Sequence, residues 1–553
     1  MTCSKNNITP RKIIKEEDKM KKALSLLMAM LMLFSLAACG GGGGTTTSTP
    51  PATSGTTSTP PAGSGTTDTP KEPSRTHLNY AFSAAVVGLD PHGTGFSKTT
   101  ALQLYKWIYD PLVDVTDDAE VYGCLAESWT VSADGLTYVF KLRPNVKFHS
   151  GNTLTANDVV WTLNRAKDTM PNTKSDTSSI DKVEATGDLE VTVTLKQPNN
   201  AFLYFMSKIS ILEQASVEKE GDNFGNAPHG AGTGAFKITS YEPNALIKME
   251  KFADYWNKEK TGNIQTMDLH IITNASTRTT ALQTGEIDFT EIPTANYAQV
   301  KDNKDITTFL VDSTKTTHVV INYYREGSPL TDKRVRQAMH YAINKDAIVQ
   351  VAASGMGTVA HTLCSPKLAG VDDTDFKDDY AYNPEKAKEL LKEAGYPDGF
   401  TLEHPFLFTG LNTSDVQMLQ EMWAAVGIKV TLEQAESATA STQAKAGYHD
   451  VYINTSPYLF HMALARKFIH SAQYKTAVAK YNHPDLDECI EKGEAATDEK
   501  ERDQWYYKAN EIINDQCIHL PLYHPQIPYG WAKDLDAEVG AYYNTFPQYW
   551  NWK

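Results

Sequence analysis

The chain has 553 residues, of which 41% are hydrophobic, 10% aromatic and 22% charged, with a formal net charge of -15 and a mean hydropathy of -0.41. These values suit a water-soluble body of two or three packed units and exclude a polytopic membrane protein. The acidic balance offers no basic stripe for phosphates, which argues against a nucleic-acid partner. Six cysteines, at positions 3, 39, 124, 364, 489 and 517, include no CxxC pair, so a disulfide scaffold and a zinc ribbon are excluded as well.

Residues 1–19 form a polar prefix, and Met20 before Lys21 and Lys22 is an alternative start. The run Ala23 to Ala38 is small and apolar throughout. At 1.5 Å per residue it spans about 24 Å, short for a membrane helix and suited to a secretory signal. It ends in Leu36-Ala37-Ala38-Cys39-Gly40, which looks like a bacterial lipobox. The expectation is a signal peptide over 1–38 and a diacylglyceryl group on the Cys39 sulfur; a plain signal anchor is the competing reading. Residues 39–75 then run through Gly, Thr, Ser and Pro, with Thr-Ser-Thr-Pro-Pro-Ala repeated at 47–52 and 57–62. Such a segment cannot bury a core and reads as a tether reaching about 30–36 Å.

From Thr76 onward strand and helix signals alternate without a second linker. Asp134-Gly135 between two β-rich runs predicts a hairpin, with Tyr138, Phe140 and Leu142 on one face of the second strand. Thr155 with Asp158 predicts a capped helix whose buried stripe is Val159, Leu163 and Ala166. Leu189, Val191, Val193 and Leu195 alternate as a strand. Thr316 to Asn322 is β-rich. Asp332 then caps a helix with Val335, Ala338, Met339, Ala342 and Ile343 at helical spacing. Asn383-Pro384 opens another helix, with Ala387, Leu390, Leu391 and Ala394 on its stripe and Gly395 as its stop. Val416, Leu419, Met422, Trp423 and Val426 repeat the pattern, and Ile428, Val430 and Leu432 alternate as a strand. The sum is an α/β chain of sheets flanked by helices in more than one lobe, an arrangement that binds ligands between lobes.

Several stretches are similar to those of a known family. Leu125 to Val159 reads LAESWTVSADGLTYVFKLRPNVKFHSGNTLTANDV. Leu89-Asp90-Pro91, Gly232 to Phe236, Asp254-Tyr255-Trp256, Gly285 to Asp288, Val335 to Ala338, Ala394 to Pro397, Gly427 to Val430 and Leu520 to Tyr523 follow in order. The chain thereby resembles the bacterial extracellular solute-binding proteins of family 5, the oligopeptide, dipeptide and nickel receptors of ABC importers. Read as residues, these motifs are mostly structural. Trp129, Tyr138 and Phe140 read as core, Gly232 and Gly234 as a tight turn, Asp254 to Trp256 as a packed turn, and His149 as a structural histidine.

The resemblance implies a periplasmic-binding-protein-like α/β fold of class II in its three-domain form, with two lobes joined by hinge crossovers. Lobe I would comprise about 76–104, 196–315 and 525–553, a subdomain about 105–195, and lobe II about 316–524. It implies a monomeric, non-enzymatic receptor without a cofactor, held to the membrane by its lipid. The receptor would pass a peptide or peptide-sized solute to ABC permease and ATPase subunits. In peptide-binding members an Asp pairs with the peptide α-amine nine residues after a strand-ending Phe-Asp pair. Here the corresponding pair is His449-Asp450, the ninth position is Leu459, and Val451 to Phe460 holds no acid. The candidate ligand-binding residues are therefore Asn454, Thr455, Ser456 and Tyr458, facing Asn322, Tyr323 and Tyr324, with Arg325 as a carboxylate partner or a solvated loop residue.

The alternatives are a metal-chelate or other non-peptide receptor, a secreted hydrolase, and a surface sensor or chaperone. No Gly-x-Ser-x-Gly elbow, His-Glu-x-x-His or P-loop supports a hydrolase. The fifteen histidines include no His-x-His or His-x-x-x-His pair, and His461 and His470 are the closest pair near the expected cleft. Cys364, Cys489 and Cys517 are read either as disulfide partners or as buried free thiols.

Overall fold

The computed structural model describes residues 75–553, apart from 87, 94–98, 118–119, 171–172, 175, 260, 364–372, 378, 458–468, 474–476, 479 and 541–543. The signal segment, Cys39 and the tether up to residue 74 lie outside the described residues, as do Cys364, Tyr458, Leu459 and His461.

His519 to Ala532 form a strand of 14 residues in which apolar and aromatic side chains alternate with three prolines, two histidines and a glutamine. A strand this long outreaches any single partner. Its first half pairs antiparallel with Lys315–Ile321 and Gly357–Val359, its second half with Ile306–Asp312 and Phe289–Glu291. One mixed sheet of 12 strands results. Beyond Lys315–Ile321 it continues through Val451–Pro457, Phe406–Phe408 and Leu432–Gln434. Beyond Phe289–Glu291 it continues through His77–Phe82, Thr266–Ile271, Leu246–Lys251 and Phe236–Glu242.

Each half of the sheet buries its own core. One is built on Tyr80, Trp107, Phe289 and Trp550, with Phe289 tilted against Trp550 at 4.6 Å between ring centres. The other joins Val319, Ile321 and Val451 of the sheet to Val335, Met339, Leu391 and Trp423 of the helices Lys333–Tyr341, Pro384–Glu393 and Thr413–Ala425. The first two of those helices start where the sequence signals them. The Asp332 carboxylate accepts from the Arg334 amide, and the Asn383 side chain accepts from the Lys386 amide. Full burial of a Leu, Val or Met in such a stripe contributes about 1.5–3 kcal/mol.

A four-stranded antiparallel sheet, in the order Ala126–Val131, Thr137–Leu142, Glu190–Leu195 and Ile180–Gly187, forms the subdomain. Its first turn is the Asp134-Gly135 hairpin, in which Gly135 has φ 69° and the Asp134 carboxylate accepts from Ser132 and Leu136. Helix Ala156–Asn164 carries the reciprocal Thr155–Asp158 capping box and buries Val159 and Leu163. Ala166, expected on the same stripe, is buried in a wider turn over Arg165–Thr169. Phe140 and Tyr138 are core, whereas Trp129 is only half-buried against it.

Two expectations need correction. Ile428, Val430 and Leu432 do not share one strand: Ile428–Lys429 pairs with Phe400–Thr401 in a separate ribbon, while Leu432–Gln434 joins the main sheet. The alternation is real, but the chain changes sheets within it. Gly232 and Gly234 do not make a tight turn. They allow the loop to lie against the end of helix Thr99–Ile108, where a Cβ on Gly234 would stand 2.5 Å from the Trp107 carbonyl oxygen.

The remaining motifs tie distant segments together. Asp90 receives the fork of Arg165 at 2.7 and 3.2 Å. Asp288 receives Arg75 and the Asn79 amide, each at 2.7 Å. Asp110, buried, accepts from Thr233 at 2.8 Å and from the Trp256 indole at 2.9 Å, and burial pushes its carboxyl up to about 6. His149 lies edge-on to Phe252, with Nε2 2.9 Å from the Gly234 carbonyl, as expected of a structural histidine. Cys124, Cys489 and Cys517 are buried free thiols.

Replacement of Gly234 by Ala forces backbone against backbone. We expect a loss of about 1–3 kcal/mol of stability, read from the urea midpoint, with no change in secondary-structure content.

Candidate functional site

The chain crosses between the halves of the large sheet through two neighbouring segments, 312–315 and 524–526. Ser313 donates its amide to the Pro525 carbonyl at 3.1 Å, and the Gln526 side chain donates to Asp312 at 2.8 Å. Rotation about two short, adjacent segments changes few dihedrals, which is the geometry of a hinge.

The register identifies the edge of the far half that meets this hinge. Val451–Pro457 runs parallel to Phe406–Phe408, which runs parallel to Leu432–Gln434. Lys315–Ile321 runs antiparallel to Val451–Pro457, with Lys315 opposite Pro457. The carboxyl ends of all three parallel strands therefore lie on the hinge side. Crevices at that edge are where open α/β sheets take ligands.

One observation at this edge bears directly on binding. Val451–Pro457 is paired along its whole length with Lys315–Ile321, but its ladder to Phe406–Phe408 stops at Tyr452. From Ile453 onward, the second edge has no strand partner among the described residues. Farther out, Thr409, Gly410, Leu411, Gln434, Ala435, Glu436 and Ser437 line a depression of about 460 Å³ at the ends of the two outer strands.

The polar groups near the hinge are neutral or already paired. Thr317 and Thr455 exchange a hydroxyl hydrogen bond at 2.9 Å, and the Thr316 hydroxyl donates to the Leu363 carbonyl at 2.7 Å. His318 stands opposite Asn454 in the ladder and against His519, whose Nδ1 lies 2.8 Å from the Tyr481 hydroxyl. Burial holds His318 and His524 down to about 4. Asp373 gathers the His361 and Thr362 amides and the Thr362 hydroxyl, fixing the 360–363 loop beside the hinge. Lys345 donates to the Ala360 carbonyl at 2.9 Å, and burial lowers its ammonium to about 8. Glu291, at the end of a lobe I strand, is raised by burial against the opposing effect of Lys315 and Arg278.

A profile described as bacterial extracellular solute-binding proteins, family 5, middle, matches residues 120–460. The chain belongs to that family. The glutathione-binding protein GsiB of Pectobacterium atrosepticum is 32% identical over 453 residues, 78% of this chain and 85% of that protein. DppA of Helicobacter pylori, solved with the peptide STSA, is 25% identical at a TM-score of 0.72, covering 85% of this chain and 97% of its own. CtaP of Listeria monocytogenes shares the fold at 22% identity and a TM-score of 0.77, covering 86% and 99%. The family is one of extracytoplasmic binding proteins of the periplasmic-binding-protein fold, and this chain is a solute-binding member. Among the described residues no helix is long and apolar enough to cross a membrane, and no group of three or more ligating side chains could hold a metal ion.

In this receptor the expected site residues fall into two separated groups. Asn454, Thr455 and Ser456 lie opposite His318, Thr317 and Thr316, toward the hinge. Tyr458 is outside the described residues. Asn322, Tyr323 and Tyr324 follow the other end of the same ladder, beyond Ile321, which pairs with Val451. Four residues of strand, about 13 Å at 3.3 Å each, separate Asn322 from His318, the residue opposite Asn454. The two groups do not face each other.

Asn322 donates its side-chain amide to the Gly447 and His449 carbonyls at 3.2 and 2.8 Å. The Tyr323 hydroxyl donates to the Lys480 carbonyl at 2.8 Å, and the Tyr324 ring lies under the Lys480 ammonium at 5.6 Å. Arg325, read from the sequence as a carboxylate partner or a solvated loop residue, is engaged with its own chain. It pairs with Asp450 at 3.3 Å and donates to the Gly447 carbonyl at 2.8 Å. His470 sits against Glu491 and Asp487. Sequence reading missed Asp110, Asp373 and the His318–His519–Tyr481 chain. Each joins segments far apart in the chain, so no local spacing marks it.

The buried imidazoles set the acid response. His92, His149, His229, His318 and His524 are held near 4 and His449 near 3, each mainly by burial, against about 6.5 in the unfolded chain. Between those limits the unfolded chain binds more protons. The stability of the neutral buried state is full above about 6.5 and is lost as pH falls toward 4. Asp110 and Asp415, raised to about 6 by burial, oppose this below pH 6 but are fewer. Urea unfolding at pH 7.5, 6.5, 5.5 and 5.0 should show a steady fall below pH 6.5; a flat profile down to pH 5 would contradict these environments.

Proposed function

We propose that the protein is the lipid-anchored, substrate-binding component of an ABC importer, and that it captures peptides or peptide-sized solutes between its lobes for a membrane permease and its ATPases. The observation that carries the peptide reading is the place where, among the described residues, the ladder from Val451–Pro457 to Phe406–Phe408 stops at Tyr452, at the carboxyl ends of parallel strands and beside the hinge. An extended peptide can add to such an edge as a further strand, exchanging main-chain hydrogen bonds without regard to its side chains. Neutral groups there, Asn454 and Thr455 among them, suit amide and hydroxyl partners. GsiB is named for glutathione, and DppA carries a four-residue peptide.

The absence of an acid from Val451 to Phe460 adds a further constraint. A buried ammonium without a counter-charge is costly, so the α-amine of a bound peptide stays hydrated or finds another partner. The same absence favours a second reading, a peptide-sized solute with no free amine.

The test is to purify the receptor undenatured from rich medium, unfold it, and identify the released molecules by mass spectrometry. A ladder of peptides is expected. Synthetic copies should bind within about threefold after N-terminal acetylation, and should lose about tenfold, or 1.4 kcal/mol, when one central amide is N-methylated. A single non-peptide compound in the released fraction would establish the second reading.

Anchoring is proposed from Leu36-Ala37-Ala38-Cys39. Diacylglyceryl supplies two chains, enough for stable retention where one would be marginal. The Cys39→Ser protein is expected in the medium after fractionation, with the wild type in the membrane pellet; a variant that stays in the pellet would refute lipid anchoring.

A further inference from the structure

The two hinge segments are not the only link between the lobes. Helices Pro484–Ala495 and Glu499–Gln516 belong to the far half of the molecule. The second helix holds Lys333 through Asp515 at 2.8 Å, receives Arg336 at the Gln516 carbonyl at 2.8 Å, and leads into the first half of the shared strand. From the other side, the segment that follows strand Glu190–Leu195 reaches these helices. The Asn199 side chain is engaged within its own segment, accepting from the Ala201 amide at 3.0 Å. That leaves Asn200 directed at the helix pair. Its side-chain amide donates to the Gly493 carbonyl, its backbone amide to the Glu494 carbonyl at 3.2 Å, and its side-chain oxygen accepts from the Tyr506 hydroxyl at 3.4 Å.

Gly493 and Glu494 lie in the last turn of Pro484–Ala495, where carbonyls have no partner within the helix. Asn200 therefore acts as a C-terminal cap supplied by the opposite lobe. The contact stands at the margin of a buried apolar cluster that joins Ala201 and Phe202 to Leu486, Ile490 and Tyr506. Gly493 admits the Tyr506 ring so closely that a Cβ would collide with it, which presents both carbonyls at the surface of the helix pair. The subdomain hairpin at Gly135 lies beside Thr497, in the connection between the two helices. On separation, water can satisfy the carbonyls, the Tyr506 hydroxyl and the Asn200 amide, while the apolar side chains beneath them must part as well.

We propose that Asn200 is the pin of a closure latch: a positioning residue that sets the balance between open and closed receptor, and hence its affinity, without touching the solute. The inference rests on the reading of the protein as a receptor that closes over its ligand. A receptor whose competent state is populated to a fraction f binds with an apparent dissociation constant larger by 1/f. Loss of two or three hydrogen bonds from the closed form alone shifts that balance by roughly tenfold.

The test uses the full chain made soluble by Cys39→Ser, as such and with Asn200→Ala. Small-angle scattering of the peptide-free proteins is expected to show a radius of gyration larger by at least about 1 Å in the variant, with an unchanged thermal midpoint. Tryptophan fluorescence with an equimolar tetrapeptide library should then give binding about tenfold weaker through faster release. Tyr506→Phe, which keeps the ring against Gly493 and removes one hydroxyl, should move both quantities in the same direction by a smaller amount. It also guards against misfolding of Asn200→Ala. Unchanged peptide-free scattering in both variants would overturn the latch. Failure of the library to bind the unmodified protein would overturn the peptide reading instead, and the peptide-free scattering would still decide the latch.

Discussion

One strand, His519–Ala532, constrains the rest of the molecule. Its hydrogen bonds are divided between two sets of partners, so neither lobe can complete its sheet without it. The division places the crossing at His524–Gln526, next to the antiparallel crossing at Asp312–Lys315. The ladder also shifts register there, between Thr317 and His318. A bulge beside the crossing loosens the pairing where bending is needed, while the ladders on either side stay rigid. The hinge and the carboxyl edge of the far lobe both follow from this arrangement.

The charges near that edge are already committed to the fold. Arg325 and Asp450 satisfy each other and the 447–449 backbone, Asp373 holds the 360–363 loop, and the imidazoles of His318, His519 and His524 are kept neutral by burial. Among the described residues, Val451–Pro457 offers a solute main chain, hydroxyl and amide. Such groups discriminate weakly among side chains and strongly for extended amide backbones, a pattern suited to collecting peptides of varied sequence.

Hinge and latch act on the same equilibrium by different means. The hinge determines which motion is easy, because only two segments must change conformation. The Asn200 contact determines how long the lobes stay together, because its few hydrogen bonds exist only while they touch. Tyr506 lies about 18 Å along its helix from the start of the shared strand, so a small rotation there becomes a large displacement at Asn200. A receptor built this way tunes affinity far from the solute and leaves the binding edge free to accept different ligands.

The sequence by itself determined the local elements and the family. Capped helices at Asp332 and Asn383, the Asp134-Gly135 hairpin and the alternating strands depend on neighbours within a few residues, and the chain carries those signals in place. The motifs around Leu125 to Val159 were legible as family marks, yet their role as ties between segments was not. Only the tertiary structure decided where the site lies. It separated Asn322, Tyr323 and Tyr324 from Asn454 to Ser456, because the two runs pair antiparallel and sit at opposite ends of one ladder. It split Ile428 to Leu432 between two sheets, and it gave Gly234 a contact with Trp107 in place of a turn. Asn200 and Gly493 stand 293 residues apart. Their hydrogen bond exists because the shared strand brings the last helices back over the first half of the chain, and no spacing within a sequence window records that return.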